Sequence, residues 1–247
     1  MIFDCFSFFN ELEILEIRLN ILDEFVDFFV LGESEQTFSN KKKQLFYNEN
    51  KKIFEKWNHK IIHIIHPNIE TTNSFEIAAF QKENLKKGLV NSSDEDIIYF
   101  GDVDEIWKPK QVDDLVYNLK QINYCYYLNN RSSEQWVGTI VSKYKNIKLN
   151  NLNYLRATHT NELDDGGWHF TNMGGVDQIL KKIDAYDHQE FNNEFTKSKI
   201  RFRFENNLDY VGRQVDWLGV PFSFEKDETQ LPPFLRENKQ KYIHLFK

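Results

Sequence analysis

Four short apolar segments, separated by segments of helical character, constrain what the first half of the chain can fold into. The apolar segments are Ile2–Phe6, Phe25–Leu31, Ile61–His66 and Ile97–Phe100. Helices are predicted over Glu11–Asp23, where leucines recur at helical spacing, and over Phe75–Val90, which follows the candidate N-cap Ser74. This alternation predicts a mostly parallel sheet covered by helices. We therefore expect an α/β fold, Rossmann-like and single-domain, over residues 1–247.

The second half of the chain gives weaker patterns. We expect a helix soon after Pro109 and a strand-rich region from Tyr124 to Phe170. Two further helices are predicted near Val176–Ala185 and Leu208–Leu218, with a short helix in the tail that begins at Leu231. These elements would complete the sheet and its helical cover.

Charge and cysteine content exclude several functional classes. The net charge is −7 and the basic residues are scattered, which is unlike a nucleic-acid-binding protein. Cys5 and Cys125 are too few for a disulfide framework. Since the sequence shows neither a signal peptide nor an apolar run long enough to span a bilayer, we expect a cytoplasmic protein.

An acidic turn follows the apolar segment Ile97–Phe100. Its sequence is Gly101-Asp102-Val103-Asp104-Glu105. Ligands of open α/β sheets bind beyond the carboxyl ends of strands, and Glu33 also follows such a strand. Two carboxylates at this position can hold a divalent cation that neutralises a diphosphate. The alternative is a solvated acidic turn that caps the next helix.

Two other functional classes fit the same turn. An apolar strand followed by Asp-x-Asp also opens the haloacid-dehalogenase phosphatases, in which Asp102 would be the nucleophile and Asp104 the general acid/base. That motif normally lies near the start of its domain, whereas here it lies near residue 100. A non-catalytic sugar-binding module is the third class, although it would have little use for an intact Asp-x-Asp.

Glycine-flanked aromatic residues and a histidine–carboxylate segment form two further candidate sites. Gly166-Gly167-Trp168-His169 allows close approach of a sugar to the backbone, with a core strand as the alternative. Asp177, at the start of a predicted helix, is either a cap or a general base. His188 and Glu190 lie in a polar turn that could complete a metal shell or accept a proton.

Segments spread over nearly the whole chain resemble glycosyltransferase family 17. They are Asn10–Leu19, Val26–Ser34, Thr37-Phe38, Asp102–Ile106, Gly167–Phe170, Lys182-Ile183, His188–Glu190 and the tail from Leu231 to Leu245. The resemblance implies a GT-A-like fold, a UDP-GlcNAc-type donor, a Mn²⁺ or Mg²⁺ ion and inversion at the anomeric carbon. It places Asp102 and Asp104 on the family's Asp-x-Asp. Trp107 stands where relatives often have Pro, and we expect no membrane anchor like that of the family's Golgi enzymes, so the glycan acceptor stays open.

These observations together define a hypothetical site and its division of labour. Residues 1–122 would form the nucleotide-binding half and residues 123–247 the acceptor side. The metal ligands would be Asp102, Asp104 and His188. The donor would contact Glu33, Asp102, Arg18, Trp168 and His169, and Trp136 is a further candidate for sugar contact. Inversion needs a carboxylate that takes the acceptor proton, for which the candidates are Asp177, Glu190 and Asp165.

Overall fold

A computed structural model describes residues 1–158, 161–216 and 218–247, which form a single α/β domain around one ten-stranded sheet. The strands are β1 (Ile2–Ser7), β2 (Phe28–Ser34), β3 (Ile61–His66), β4 (Ile97–Asp102), β5 (Glu105–Trp107), β6 (Tyr117–Cys125), β7 (Asn130–Lys143), β8 (Glu162–Leu163), β9 (Gly167–Thr171) and β10 (Phe224–Lys226). The helices are α1 (Leu12–Leu22), α2 (Phe46–Asn50), α3 (Ser74–Asn84), α4 (Tyr144–Ile147), α5 (Leu152–Thr158), α6 (Val176–Ala185), α7 (Glu194–Glu205) and α8 (Pro233–Glu237). Short 3₁₀ helices cover Lys51–Trp57, Leu85–Leu89, Gln189–Phe191 and Ile243–Leu245.

The first four strands form a parallel half-sheet in the order β3-β2-β1-β4. Their side chains alternate between two apolar clusters. Phe6 and Phe29 belong to the cluster under α1, while Cys5 and Val30 belong to the cluster under the Leu85–Leu89 turn. Both faces of β1, β2 and β4 are therefore mostly buried, which is why these segments read as nearly continuous apolar runs, whereas the edge strand β3 is only partly buried.

The other half of the sheet is mixed, so the expectation of a mostly parallel sheet is wrong. β7 runs antiparallel to both β4 and β6, and β5 runs antiparallel to β9. β6 reaches β7 through the four-residue loop Tyr126–Asn129, too short for the crossover that a parallel connection requires. The sheet continues from β4 through β7, β6 and β9 to β5, with β10 beside β7 and β8 beside β6.

Two predicted helices are wrong as well. The segment after Pro109 has no helix before it enters β6, and the described residues of 208–218 form turns and an isolated bridge. A helix that was not predicted, α7, precedes that segment instead. The predicted α1, α3, α6 and the short tail helix all occur, and the N-cap of α3 is Asn73 rather than Ser74.

A buried ion pair fixes the turn after β4 relative to α1. The guanidinium of Arg18 donates to both carboxylate oxygens of Asp4, at 2.8 and 2.6 Å. Its Nη1 also donates to the backbone carbonyls of Asp102, Val103 and Glu105. Trp107 completes this unit, because it donates to Asp4 at 2.8 Å and stacks on Tyr99. In the described part of the chain, no helix has the length and apolarity needed to cross a bilayer.

Candidate functional site

A cleft of about 630 Å³ opens at the carboxyl ends of β1 and β4. Ser7 ends β1 and Asp102 ends β4, and both line the cleft. β6, β7 and β9 contribute the opposite wall through Asn123, Trp136 and His169. The cleft therefore occupies the position at which open α/β sheets bind ligands.

Asp102 is held by two basic side chains. Arg156 of α5 donates to its Oδ2 at 2.8 Å, and the Lys82 ammonium of α3 lies 3.4 Å from its Oδ1. Burial opposes ionisation of this carboxyl, but Arg156 and Lys82 outweigh that cost and lower its pKa to about 2. Asp102 is therefore a carboxylate at neutral pH.

Asp104 is more buried than Asp102 and has different neighbours. Its Oδ2 accepts a hydrogen bond from Lys182 of α6 at 3.3 Å and lies 3.6 Å from Nε2 of His169. Burial again opposes ionisation, and these two neighbours keep the pKa of Asp104 well below its usual range. Among the described residues, no hydrogen bond reaches its other oxygen, Oδ1, which is free to meet a ligand.

Glu105, the third acid of the turn, is fully buried and is not free for a ligand. Its oxygens accept hydrogen bonds from Trp136 Nε1 at 2.7 Å, from Thr139 Oγ1 at 2.9 Å and from Arg156. Gly101 makes room for this carboxylate, since a Cβ there would come within 2.5 Å of its Oε2. Glu105 thus fixes Arg156, which in turn fixes Asp102.

The residues of the acidic turn fit a divalent cation only together with a phosphate ligand. Within residues 1–158, 161–216 and 218–247, no group of three His, Cys, Asp or Glu side chains is arranged to hold a metal ion. Asp102 and Asp104 can supply two carboxylates, which suffices for Mg²⁺ when substrate phosphates supply further oxygens. The three carboxylates of the turn are balanced by Lys82, Arg156 and Lys182, so a cation and a diphosphate would add a nearly neutral pair.

Polar atoms without partners converge on the same cleft. They are Ser7 Oγ, Asn123 Oδ1, His169 Nδ1 and Asn172 Oδ1, each buried and without a hydrogen bond to a described residue. Buried polar groups are normally satisfied, so a cluster of exceptions indicates a place where a ligand supplies the bonds. Beside them the His169 ring stacks on Trp136 with 4.2 Å between ring centroids.

Glu134 provides a second acidic position, on the wall of the cleft formed by β6, β7 and β9. It accepts hydrogen bonds from Asn123 at 3.2 Å and from Arg213 at 3.1 Å. Burial raises the pKa of this carboxyl, against the opposing effect of Arg213. Glu11, at the start of α1, also lines the cleft with a pKa raised by burial and by Asp104.

The structure separates the residues selected from the sequence into two groups. The cleft is lined by Asp102, Asp104, Trp136, His169, His188 and Glu190. Five others lie outside its lining: Arg18, Glu33, Asp165, Trp168 and Asp177. His188 donates to or accepts from Glu190 at 2.7 Å, and both side chains are about half exposed.

The residues outside the cleft have other contacts. The carboxylate of Glu33 accepts hydrogen bonds from the backbone amides of Tyr47 and Asn48, at the start of α2. Trp168 donates to the Gln230 carbonyl at 2.6 Å, and Asp165 pairs with Lys108 at the surface. Asp177 is exposed in the first turn of α6.

From the sequence, no role at the site was assigned to three of its basic residues, although Lys182 lies in a segment that resembles the family. Lys82, Arg156 and Lys182 come from three helices that are far apart in the chain. Lysine and arginine at helix surfaces are ordinarily solvated, so no local pattern distinguishes them. Lys82 and Arg156 lie at positions of α3 and α5 that are otherwise expected to be apolar, but these helices of 11 and 7 residues are too short for the pattern to identify them.

Comparison with known proteins identifies the family. The sequence model of glycosyltransferase family 17 matches residues 1–207, and the chain belongs to this family. The resemblance inferred from Asn10–Leu19 and the segments after it is thereby confirmed. No curated protein and no solved structure gave a match.

Proposed function

We propose that this cleft transfers a sugar from a nucleotide-sugar donor, most simply UDP-GlcNAc, to a hydroxyl of a glycan acceptor with inversion at the anomeric carbon. Membership of glycosyltransferase family 17 supports glycosyl transfer as the reaction class. The observation that carries the assignment to this site is the acidic pair Asp102 and Asp104 at a strand end inside the cleft, which is also lined by four buried polar atoms with no hydrogen bond to a described residue. A preformed cleft with few convergent polar groups is what a small polar substrate requires.

The donor diphosphate would lie against the acidic turn and its three basic neighbours. A Mn²⁺ or Mg²⁺ ion held by Asp102 and Asp104 would neutralise the charge that develops on the leaving group. Lys82, Arg156 and Lys182 hold positive charge at the same end of the cleft and stabilise the departing nucleotide diphosphate. Arg18 lies outside the cleft lining and contributes by fixing the backbone of the turn through hydrogen bonds to its carbonyls.

A carboxylate must take the proton of the acceptor hydroxyl as it attacks. Of the three candidates from the sequence, only Glu190 lines the cleft, and His188 orients its carboxylate. We therefore assign the general base to Glu190, and Glu134 is the carboxylate to compare with it because its pKa is raised. Glu190→Gln should lower kcat at least about a hundredfold with donor binding intact, the range found for loss of general base catalysis.

Ligand-dependent thermal stability tests the donor assignment. The unfolding midpoint is measured with UDP, UDP-GlcNAc, UDP-glucose, UDP-galactose and GDP-mannose, each with and without Mn²⁺. A ligand that binds only the native state raises the midpoint by mass action. We expect a rise that needs both a UDP-sugar and Mn²⁺ and is lost in Asp104→Asn.

Asp165→Asn is the matched control, since it makes the same aspartate-to-asparagine substitution at a residue outside the cleft lining. It should bind the donor as the wild type does. No midpoint shift with any nucleotide, together with release of phosphate from small phosphoesters, would instead favour the phosphatase chemistry that the Asp-x-Asp turn also permits.

A further inference from the structure

A second cavity, of about 350 Å³, lies beside the candidate site. Arg213 lines both cavities. Of two residues close to it in the chain, Asp209 lines the second cavity and Tyr210 lines the cleft. A ligand that extends from the cleft past Arg213 would therefore enter the second cavity. Its chemistry differs from that of the cleft, because carboxylates are scarce in its lining and aromatic rings are frequent.

One face of α7 forms a wall of this cavity. The lining residues on α7 are Phe195, Lys199, Phe202 and Arg203. Their spacing of four, three and one residues places all four on the same side of a helix. Phe195 and Phe202 are 70% and 58% exposed, so their rings are open to a ligand.

The two basic residues on this face have no acidic partner among the residues that the structure describes. Among the described residues, neither Lys199 nor Arg203 has a carboxylate within ion-pair distance. Their neighbours on other faces of α7 do, since Lys197 pairs with Asp184 at 2.6 Å and Arg201 with Glu205 at 3.9 Å. In a chain of net charge −7, unpaired cations that share a cavity attract an anion.

The Arg203 guanidinium is held in place before any ligand arrives. Its Nη1 donates to the Tyr210 carbonyl at 3.0 Å. It also rests on Gly212, which has φ +92° and where a Cβ would come within 2.4 Å of Nη2. Only glycine fits this combination of positive φ and close approach. A planar guanidinium fixed in this way is suited to bidentate binding of a carboxylate.

We propose that this second cavity binds an acidic, carboxylate-bearing sugar of the acceptor glycan. The carboxylate lies against Arg203 and Lys199, and the apolar face of the sugar ring lies against Phe202 or Phe195. Arg213 is already paired with Asp209 and Glu134, so it marks the boundary with the cleft and takes no part in charge selection. This inference rests on the proposed glycosyl transfer in the cleft.

Matched pairs of disaccharides test the proposal. Cellobiouronic acid is compared with cellobiose, and digalacturonic acid with galactobiose, by calorimetric titration into the full chain with UDP and Mn²⁺ present. We expect the acidic member of at least one pair to bind roughly tenfold tighter, the effect of about one charge-assisted contact. That preference should weaken as salt is raised.

Arg203→Gln and Lys199→Gln should each remove most of the preference for the acidic disaccharide. Arg201→Gln, on another face of the same helix, is the matched control and should retain it. Lys199 is exposed and without a described partner, so its variant keeps the test valid if Arg203→Gln is unstable. Addition of UDP and Mn²⁺ should raise the unfolding midpoint of all three variants as much as it raises that of the wild type.

Equal binding of acidic and neutral members in both pairs, or an unchanged preference in both cavity variants, would overturn the proposal. A wild type that binds no nucleotide would instead refute the proposed function of the cleft. The two failures are separate because donor binding and disaccharide preference are measured on the same samples.

Discussion

Arg156 is the residue on which the acidic turn depends most. It donates to Asp102 at 2.8 Å and also to Glu105, and its side chain is 14% exposed. Glu105 is fully buried. Arg156 is its only described cationic partner within ion-pair distance. Burying a carboxylate without a cation is far more costly than burying the pair.

Replacing Arg156 with Met should therefore lower the free energy of unfolding by about 3–5 kcal/mol, the usual cost of breaking a buried ion pair. Urea denaturation at neutral pH measures the change. Arg201→Met is the control, since Arg201 is 70% exposed in its pair with Glu205 and should cost no more than about 1 kcal/mol. Equal losses in the two variants would show that Glu105 does not need its cation.

At this scale the sequence predicted the acids and not the bases. Asp102 and Asp104 could be found because both follow directly on an apolar strand. Glu105 lies in the same string but turns away into the core, and nothing in the local sequence distinguishes it from its neighbours. Lys82, Arg156 and Lys182 reach the site only through the packing of three helices, which a local pattern does not encode.

At the scale of elements, periodicity located the buried parallel strands and failed in the antiparallel half. β1, β3 and β4 lie where expected because both of their faces are apolar. β6 carries buried Asn118, Gln121 and Asn123 among its apolar residues, so its sequence gives no clear alternation. The fold class could be predicted, whereas the direction of β7 depends on a hairpin that the sequence did not reveal.

The contact between β2 and β3 buries a histidine that has no hydrogen-bond partner in the described part of the chain. His66, at the end of β3, is 2% exposed, and neither ring nitrogen has a hydrogen bond to a described residue. Its ring lies over Gly32 of β2, where a Cβ would come within 2.4 Å of Nε2. Burial, with the charges of Lys87 and Lys43, lowers the pKa of His66 from 6.5 to about 4.

This depressed pKa predicts a loss of stability in mild acid. Below pH 6.5 the unfolded chain binds a proton at His66 that the folded chain does not bind until about pH 4. The free energy of unfolding therefore falls as the pH drops through this window, by up to about 3 kcal/mol from this group. His66→Gln should flatten the pH dependence of urea midpoints between these values.

His59→Gln, at an exposed position of the loop before β3, is the control and should leave the wild-type slope unchanged. Since other carboxyl groups titrate in the lower part of the window, the difference between the two variants isolates the contribution of His66. A wild-type slope in His66→Gln would mean that the imidazole is solvated or paired in solution.

At the scale of the whole molecule, the tail closes the core over α1. Leu231, Leu235, Tyr242 and Leu245 are buried in the same cluster as Leu15 and Leu19. The hydroxyl of Tyr242 donates to the carboxylate of Glu16 at 3.1 Å, and Lys241 forms an ion pair with the same carboxylate at 2.6 Å. The amide of Leu128, in the β6–β7 loop, donates to the Leu245 carbonyl at 2.8 Å, so the tail joins α1 to the hairpin.

Removing residues 231–247 should abolish cooperative unfolding. Each fully buried side chain of this size contributes about 1.5–3 kcal/mol, so the four together approach the whole stability of an ordinary domain, about 5–15 kcal/mol. Near-ultraviolet circular dichroism and the shape of the urea transition measure the result. Leu235→Ala provides a graded test in a chain that still folds, with an expected loss of about 2–5 kcal/mol.

Glu237→Ala, at an exposed position of α8, is the control and should change stability by less than about 0.5 kcal/mol. If the shortened chain kept a sharp transition and its near-ultraviolet spectrum, the core under α1 would be complete without the tail.

The cleft should respond along with the core, because Glu11 and the turn fixed by Arg18 both depend on where α1 lies. Loss of donor binding in Leu235→Ala beyond its loss of folded protein would show that the tail sets the position of α1 at the site.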